Sequence, residues 1–334
     1  MAVTVSQPGA CLVATGMAIP KRVVPNSWFA QRLDTSDEWI RTRTGIRERR
    51  FAEPGEQTSD YASRAALEAL ARSGVAPGEV GLVVVATTVP DMRLPATANF
   101  VIRRLGLEKA YGYDLSGGCS GFLFALAGAD AQLRAGMARH ALVIGAEIYS
   151  SILDFTDRNT CVLFGDGAGA ALFGPPGSRG NAGILHTRLF SRGEHTGTLG
   201  CRGGGTAGRS ELASASGHPD RIFMDGPLVF RLAVEGCCNG IRTVLDAEGL
   251  APLDVARIIP HQANYRIIEK IARTFDYPME RIEINLDRHG NTAAASVPIA
   301  LNEVVTSGRA KPGDLVLLVA AGAGFNSGAI LLRL

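Results

Sequence analysis

The chain has 334 residues, of which 46% are apolar and 20% are charged, so it is long enough for one large domain or two ordinary ones. Its 34 lysines and arginines stand against 32 acidic residues, which gives a net charge of +2. This near-balance argues against a dedicated nucleic-acid binder, which would carry a strong basic excess.

The first apolar run, residues 10–19, is interrupted by Gly16 and ended by Pro20. We therefore expect no signal peptide, and no apolar stretch is long enough to span a membrane. The six cysteines form no Cys-x-x-Cys pair and show no metal-ligand spacing. These patterns predict reduced thiols, a cytoplasmic location and no metal site.

Apolar strands alternate with helical segments along the chain. The predicted strands are 82–86, 141–145, 170–173, 256–260 and 315–320. The predicted helices are 58–73, 97–105, 120–136, 228–248, 265–275 and 296–306. This alternation is typical of an α/β fold in which both faces of each sheet are covered.

Three features of the first half recur in the second half at a nearly constant spacing. A strand and polar turn at 82–88 recurs at 258–264, a strand-to-helix corner at 113–122 recurs at 284–294, and a strand at 142–145 recurs at 315–319. The three offsets are 176, 171 and 173 residues. They predict a duplicated βαβαβ unit, with halves at 1–175 and 176–334 related by a pseudo-twofold axis.

Residues 191–220 are rich in Gly, Ser, Thr and Arg and include the run Gly203-Gly-Gly205. This composition predicts a long surface loop. Long loops within compact folds are often lids or binding loops, and disorder is the alternative interpretation.

Cys119 lies in the most informative segment, Leu115-Ser-Gly-Gly-Cys119-Ser-Gly121. Only glycine and serine flank the thiol, and a helix is predicted to begin directly after it. A cysteine in the first turn of a helix lies near the positive end of the helix dipole, which favours the nucleophilic thiolate. The alternative is a small, buried and inert cysteine.

Two further polar side chains stand where a predicted strand leads to a helix. His261 follows the strand at 256–260, and Asn291 occupies the corner that matches Cys119 if the halves are duplicated. The three groups can then converge on one pocket. A core role for His261, a turn or cap role for Asn291, and His289 as the active imidazole are the alternatives.

Six segments spread over nearly the whole chain carry a resemblance to a known family. They are Asp34-Thr-Ser-Asp-Glu-Trp-Ile40, Arg43-Thr-Gly-Ile-Arg47, Cys119-Ser-Gly-Phe122, Phe164-Gly-Asp-Gly-Ala-Gly-Ala170, Pro260-His-Gln-Ala-Asn264 and Leu286-Asp-Arg-His-Gly-Asn-Thr292. In this order they resemble β-ketoacyl-acyl-carrier-protein synthase III. The resemblance implies the thiolase-like α/β fold, in which two pseudo-symmetric βαβαβ halves form α-β-α-β-α layers.

The resemblance also implies a decarboxylative Claisen condensation that initiates fatty-acid or related synthesis. Cys119 takes the acyl group from acyl-CoA, and the enolate formed from malonyl-carrier protein then attacks that thioester. Donors from His261 and Asn291 stabilise the enolate, and the backbone N–H groups of Cys119 and Ala323 form the oxyanion hole. Acyl-CoA enters as a substrate, and no bound cofactor is implied.

Substrate and partner contacts follow from the same resemblance. The implied CoA contacts are Trp39, Arg43, Arg158 and Asn264. The implied acyl-pocket residues are Phe164 and Leu94, the latter reaching across a homodimer interface. The implied docking patch for an acidic acyl carrier protein is Arg231, Arg266, Lys270 and Arg273, although a solvated surface is the alternative. Neither nucleic acid nor a membrane is an expected partner.

Three other functions stay open. Departures from the family pattern at 116–118, Pro227 and Ala323 suggest a natural-product relative that condenses or transfers an unusual acyl-CoA. The pattern Gly117-Gly-Cys119-Ser-Gly121 resembles the nucleophile elbow of α/β-hydrolases, although that interpretation has no role for Asn291. The third alternative is a non-catalytic scaffold. Residues 164–170 lack the Lys-Ser/Thr of a phosphate loop, and the resemblance suggests a structural role for them.

Overall fold

Two β-sheets organise the chain, which a computed structural model describes over residues 8–209 and 220–334. The strands are β1 (Cys11–Ala18), β2 (Arg22–Pro25), β3 (Glu48–Phe51), β4 (Val80–Ala86), β5 (Tyr111–Leu115), β6 (His140–Glu147), β7 (Gly167–Gly174), β8 (Gly183–Ser191), β9 (Leu199–Cys201), β10 (Ile222–Met224), β11 (Arg257–Pro260), β12 (Leu315–Gly322) and β13 (Asn326–Arg333). The helices are α1 (Asn26–Ala30), α2 (Asp37–Thr44), α3 (Thr58–Ser73), α4 (Thr97–Leu105), α5 (Gly121–Arg134), α6 (Gly226–Glu248), α7 (Tyr265–Thr274), α8 (Leu286–His289) and α9 (Ser296–Thr306).

The two main sheets repeat one pattern of strand order and direction. The larger sheet has the order β1-β7-β6-β4-β5, and the smaller sheet has the order β8-β13-β12-β11. In both sheets, each of the first two pairs of adjacent strands is antiparallel, and the third pair, β6 with β4 or β12 with β11, is parallel. The larger sheet lies within residues 11–174 and the smaller within 183–333, so the proposed boundary at residue 175 falls between them.

Helices α5 and α9 lie between the two sheets. Phe122 of α5 and Leu301 of α9 share one core with Val84 of the larger sheet and Leu318 of the smaller sheet. The opposite face of the larger sheet is covered by α3 and α4, and that of the smaller sheet by α6 and α7. The layers therefore run α-β-α-β-α, which confirms the predicted fold class.

Most elements with a clear apolar pattern lie where they were predicted. Helices α3, α4 and α9 have the predicted bounds, and the predicted strand at 82–86 lies within β4. Strands β1, β8 and β13 were not predicted. Within β4, Val83 and Val85 face one core while Leu82 and Val84 face the other, because side chains alternate along a strand.

The strand predicted before Asn291 is wrong. In the described chain, isolated parallel bridges stand there instead of a strand, one between Ile282 and Ile258 and one between Asn291 and Phe164. A side chain replaces the missing ladder, because Gln262 Nε2 donates to the Glu283 carbonyl at 3.0 Å and its Oε1 accepts from the Asn285 N–H at 3.0 Å. The chain therefore leaves the sheet early and enters α8.

The segment predicted as one long loop at 191–220 also contains ordered backbone. Its β9 pairs with β10 just after the segment, while residues 210–219 lie outside the described residues. Leu199 and Ile222 from this pair are buried in the cluster that contains Cys119. In the described ranges, no helix is long and apolar enough to cross a bilayer.

Candidate active site

Cys119 lies between β5 and α5, in a short 3-10 turn that leads directly into the helix. Gly118 in this turn has a φ of +57°, and a Cβ on it would lie 3.1 Å from the Ala323 nitrogen. A Cβ on Gly322 would lie 2.7 Å from the Cys119 nitrogen. Glycines on both sides therefore let the end of β12 approach the Cys119 backbone closely.

Burial keeps the Cys119 thiol protonated. The residue is 4% exposed, and burial raises the pKa of the thiol to about 12, with a further contribution from the Glu147 carboxyl. Glu147 is itself buried, which raises the pKa of its carboxyl to about 8. The expectation of a resting thiolate is therefore wrong, because desolvation outweighs the partial charge at the start of α5.

His261 directly follows β11, and its backbone N–H donates to the Val319 carbonyl of β12 at 2.7 Å. Its ring Nδ1 lies 2.6 Å from Ser296 Oγ at the start of α9. Burial lowers the pKa of the imidazole to about 3, so the ring is neutral near pH 7. Since Ser296 occupies Nδ1, the Nε2 atom is left for a ligand.

Asn291 is anchored by backbone hydrogen bonds to the segment that precedes β7. Its N–H donates to the Leu163 carbonyl at 2.8 Å, and its carbonyl accepts from the Gly165 N–H at 2.9 Å. Its side-chain Oδ1 accepts from the Ala293 N–H at 2.9 Å. The side-chain NH₂ group is therefore the part of Asn291 available to donate to a ligand.

One cavity of about 740 Å³ brings the three groups together from both halves of the chain. The predicted residues that line it are Trp39, Arg43, Cys119, Arg158, Phe164, His261, Asn264, Arg266 and Asn291. The lining of this cavity therefore includes a buried thiol, a neutral imidazole and a carboxamide. This set of groups can form a covalent thioester and stabilise negative charge on a bound oxygen.

Trp39 brings two cations together in the cavity. The Arg43 and Arg158 guanidinium carbons lie 4.8 and 5.2 Å from its ring centroid. Asn264 Nδ2 donates to the Arg43 carbonyl at 3.2 Å, while Asn264 Oδ1 caps α7 by accepting from the Arg266 N–H. A planar ring close to two guanidinium groups suits a ligand that carries both an aromatic base and phosphates.

A second cavity of about 460 Å³ lies beside the Cys119 turn and is lined by Gly118, Ala323 and Tyr149, among others. The Tyr149 ring stacks on Phe164 with centroids 4.8 Å apart. Leu199 lines both cavities. Both cavities therefore adjoin the turn that holds the thiol, one at Cys119 and the other at Gly118.

Four predicted residues line neither cavity. Leu94 is 84% exposed, and Arg231, Lys270 and Arg273 lie on the exposed faces of α6 and α7. Their predicted roles involve other chains, so a surface position is compatible with those roles.

His289, the alternative imidazole, does not line the cavity of the catalytic candidates. Its Nε2 lies 3.1 Å from a carboxylate oxygen of Glu303. The segment 164–170 also does not form a phosphate-binding loop, because strand β7 (Gly167–Gly174) begins within it.

Sequence reasoning missed three buried polar groups around the site: Glu147 and Tyr149 near the Cys119 thiol, and Ser296 beside His261. Glu147 ends β6 and Tyr149 follows it. The position just after a predicted strand, which drew attention to His261, would have found both. Ser296 carried no such signal, because it begins α9 and is brought to His261 only by the packing of α9 against β11 within the second half.

Comparisons with known proteins match nearly the whole chain. The family model described as 3-oxoacyl-[acyl-carrier-protein (ACP)] synthase III matches residues 113–193, and the model of its C-terminal part matches 245–334. The chain is 46% identical to the β-ketoacyl-[acyl-carrier-protein] synthase III of Paracoccus denitrificans, over 96% of this chain and 97% of that protein. It is 47% identical to the synthase of the same description from Rhodospirillum centenum, over 96% and 98%.

A solved structure gives the same match in three dimensions. The crystal structure of 3-oxoacyl-[acyl-carrier-protein] synthase III from Aquifex aeolicus superimposes with a TM-score of 0.90 at 41% identity. The superposition covers 98% of this chain and 100% of that chain.

Proposed function

This chain belongs to the β-ketoacyl-acyl-carrier-protein synthase III family, and we propose that it condenses an acyl-CoA starter with malonyl-acyl-carrier protein to begin fatty-acid synthesis. It is an acyltransferase-type condensing enzyme with the thiolase-like fold. The observation that carries the residue assignment is the single cavity lined by Cys119, His261 and Asn291.

The other functions are disfavoured. The match to synthases over nearly the whole chain favours the fatty-acid function over a specialised natural-product one. The elbow-like pattern around Cys119 precedes a helix packed between two sheets, unlike the single sheet of an α/β-hydrolase. A non-catalytic scaffold would not need a thiol, an imidazole and a carboxamide in one cavity.

In the first half-reaction, the Cys119 sulfur attacks the acyl-CoA carbonyl carbon. The oxyanion accepts hydrogen bonds from the backbone N–H groups of Cys119 and Ala323, which the close approach of Gly322 to the Cys119 turn supports. The carbon–sulfur bond to CoA then breaks, and the proton of the Cys119 thiol leaves with the CoA sulfur. The products are an acyl-Cys119 thioester and free CoA thiol.

In the second half-reaction, malonyl-carrier protein loses its carboxylate as carbon dioxide, and its thioester becomes an enolate. The enolate oxygen accepts hydrogen bonds from His261 and from the Asn291 NH₂ group. Because the imidazole is neutral, it acts as a hydrogen-bond donor rather than as a cation. The enolate carbon bonds to the acyl carbon, and Cys119 leaves as a thiolate that takes a proton from water.

CoA lies in the larger cavity in this proposal. Trp39 and Arg158 hold the adenine, Arg43 lies near the phosphates, and Asn264 contacts the pantetheine arm. The cavity lining and the ring contacts of Trp39 support this placement. Phe164 contacts the acyl group, which extends from Cys119 toward the second cavity.

The carrier protein docks on α6 and α7. These helices pack together, and both contribute residues to the cavity lining, among them Phe230 of α6 and Arg266 of α7. The exposed cations of the proposed docking patch are Arg231, Arg266, Lys270 and Arg273. Positive charge near the cavity favours an acidic partner and speeds its association.

The docking patch is tested with Lys270→Glu, which should raise the KM for malonyl-carrier protein without a matching change in Cys119 acylation by acyl-CoA. Lys311→Glu is the control, because Lys311 is exposed near the start of β12, the end of that strand away from Gly322. Equal effects of the two charge reversals would refute docking at this patch.

A homodimer is also proposed. Strand β5 is an edge strand of the larger sheet, and all five of its residues are at least partly exposed. Leu94, Met92 and Tyr111 add exposed apolar surface at 84%, 46% and 40%. A second copy would cover this edge and place Leu94 at the partner's acyl pocket.

A cytoplasmic location also remains a prediction, based on the cysteine pattern.

Mass spectrometry of the intact protein after incubation with a series of acyl-CoAs tests the first half-reaction. We expect one acyl adduct per chain, on Cys119, and none in Cys119→Ser. His261→Ala and Asn291→Ala should still be acylated but should not condense the acyl group with malonyl-carrier protein. Labelling at another residue, or equal loss of both steps in the His261 and Asn291 variants, would contradict the assignment.

A further inference from the structure

Ser296 makes a buried contact that no step above has used. It is 1% exposed and begins α9, and its Oγ lies 2.6 Å from His261 Nδ1. The backbone N–H of Gln262 donates to the same oxygen at 3.4 Å. In the described ranges, the Ser296 hydroxyl has these two nitrogens as its hydrogen-bond partners.

Counting protons decides which ring nitrogen of His261 carries the hydrogen. The Gln262 N–H can only donate, so Ser296 Oγ accepts from it and keeps its own hydrogen to give. If Nδ1 were protonated, Nδ1 would donate to Oγ and the serine hydrogen would have no recorded acceptor around it. Leaving a buried donor unsatisfied in this way costs about 1–3 kcal/mol.

We propose that Ser296 is a positioning residue, which donates its hydroxyl hydrogen to His261 Nδ1 and so fixes the ring hydrogen on Nε2. All the hydrogen-bonding groups at this contact are then satisfied. The proposal rests on the assigned role of His261 in the second half-reaction, and it specifies which atom performs that role.

The consequence is a donor of fixed direction in the cavity. Burial keeps the ring neutral, so it carries a single N–H. Only the Nε2–H form can donate to an enolate oxygen, while Nδ1 is held by Ser296. The same form gives Nε2 no free lone pair, so His261 does not accept the Cys119 proton. This agrees with a first half-reaction in which that proton leaves with CoA.

The tautomer is read directly by two-bond ¹H–¹⁵N correlation spectra of the protein labelled with ¹⁵N-histidine. The sequence contains six histidines, and the His261 signals are the ones missing from His261→Gln. We expect wild-type His261 to show the Nε2–H pattern. In Ser296→Ala we expect a shift toward the Nδ1–H pattern, and in Ser296→Thr a return toward wild type.

Kinetics provide the second measurement. Ser296→Ala should lower kcat for condensation by up to about 10²-fold, the loss expected for one misplaced donor. The loss for condensation should exceed the loss for Cys119 acylation, and Ser296→Thr should restore most of it. The matched control is Ser307→Ala, because this exposed hydroxyl follows the other end of α9, where it donates to helix carbonyls and accepts from Arg309 Nε, with no catalytic candidate among its partners.

An Nδ1–H pattern in the wild type would overturn the proposal, even if Ser296→Ala failed to fold. An unchanged spectrum in a folded Ser296→Ala would overturn it as well. Failure of the proposed function is a different result. In that case, neither Cys119 acylation nor condensation would be observed. Wild-type His261 would still show the Nε2–H pattern, and Ser296→Ala would still shift it, which would support this inference on its own.

Discussion

Gly322→Ala tests whether the Cys119 backbone must be approached closely by the end of β12. Gly322 has φ −170° and ψ −167°, an extended conformation that alanine also adopts, so backbone strain is not the issue. The added Cβ would lie 2.7 Å from the Cys119 nitrogen and 2.8 Å from its Cβ. The backbone of one of these two segments therefore has to move.

The size of that movement sets the expected loss. Restoring an ordinary contact of about 3.4 Å requires a displacement of about 0.7 Å. A misplacement of about 1 Å can cost 10²-fold in rate, and loss of one oxyanion donor costs about 10²–10³-fold, or about 2.7–4 kcal/mol. We therefore expect Cys119 acylation to slow by at least about 10²-fold. Overpacking should lower the free energy of unfolding by about 1–3 kcal/mol.

The assay is single-turnover acylation by acyl-CoA, quenched and read by mass spectrometry, together with thermal unfolding. Gly78→Ala is the matched control, because a Cβ there has no atom within 4 Å and Gly78 is exposed away from the site. The control should match the wild type in both measurements. A folded Gly322→Ala that is acylated at the wild-type rate would refute the close-approach argument and the backbone oxyanion hole.

Three further predictions follow from the site. Trp39→Ala removes the ring that contacts Arg43 and Arg158 and should raise the KM for acyl-CoA about tenfold. An equal rise for an acyl-pantetheine, which lacks the nucleotide, would contradict adenine binding at Trp39. Because the pKa of the Cys119 thiol is raised to about 12, its alkylation by iodoacetamide should accelerate about tenfold per pH unit between pH 7 and 9; a plateau below pH 8 would show that the thiolate is stabilised after all. Burial raises the pKa of Glu147 from 4.5 to about 8, so the folded chain holds a proton that the unfolded chain loses, and stability falls as pH rises through this range. Glu147→Gln should therefore lose less stability than the wild type between pH 5 and 8 in urea unfolding, and parallel curves would contradict a buried, proton-holding carboxyl.

Local sequence patterns predicted those helices and strands that bury either one face or all of their side chains. Helices α3, α4 and α9 were predicted at their observed bounds, because apolar spacing and flanking small or polar residues depend on nearby positions alone. The strand before Asn291 was predicted wrongly for a reason that no local pattern contains. The side chain of Gln262, which lies more than twenty residues earlier in the chain, makes the backbone hydrogen bonds that a neighbouring strand would otherwise make.

The sequence by itself also identified Cys119, His261 and Asn291 as candidates. Each follows a predicted strand or occupies a position that matches a strand-to-helix corner in the other half. Only the tertiary structure decided how these groups are held and charged. The Cys119 pKa depends on burial among residues of both halves, and the His261 hydrogen depends on Ser296, 35 residues further along. Proton positions are set by desolvation and by hydrogen-bond partners. Those partners are brought together by packing, so no reading of neighbouring residues can supply them.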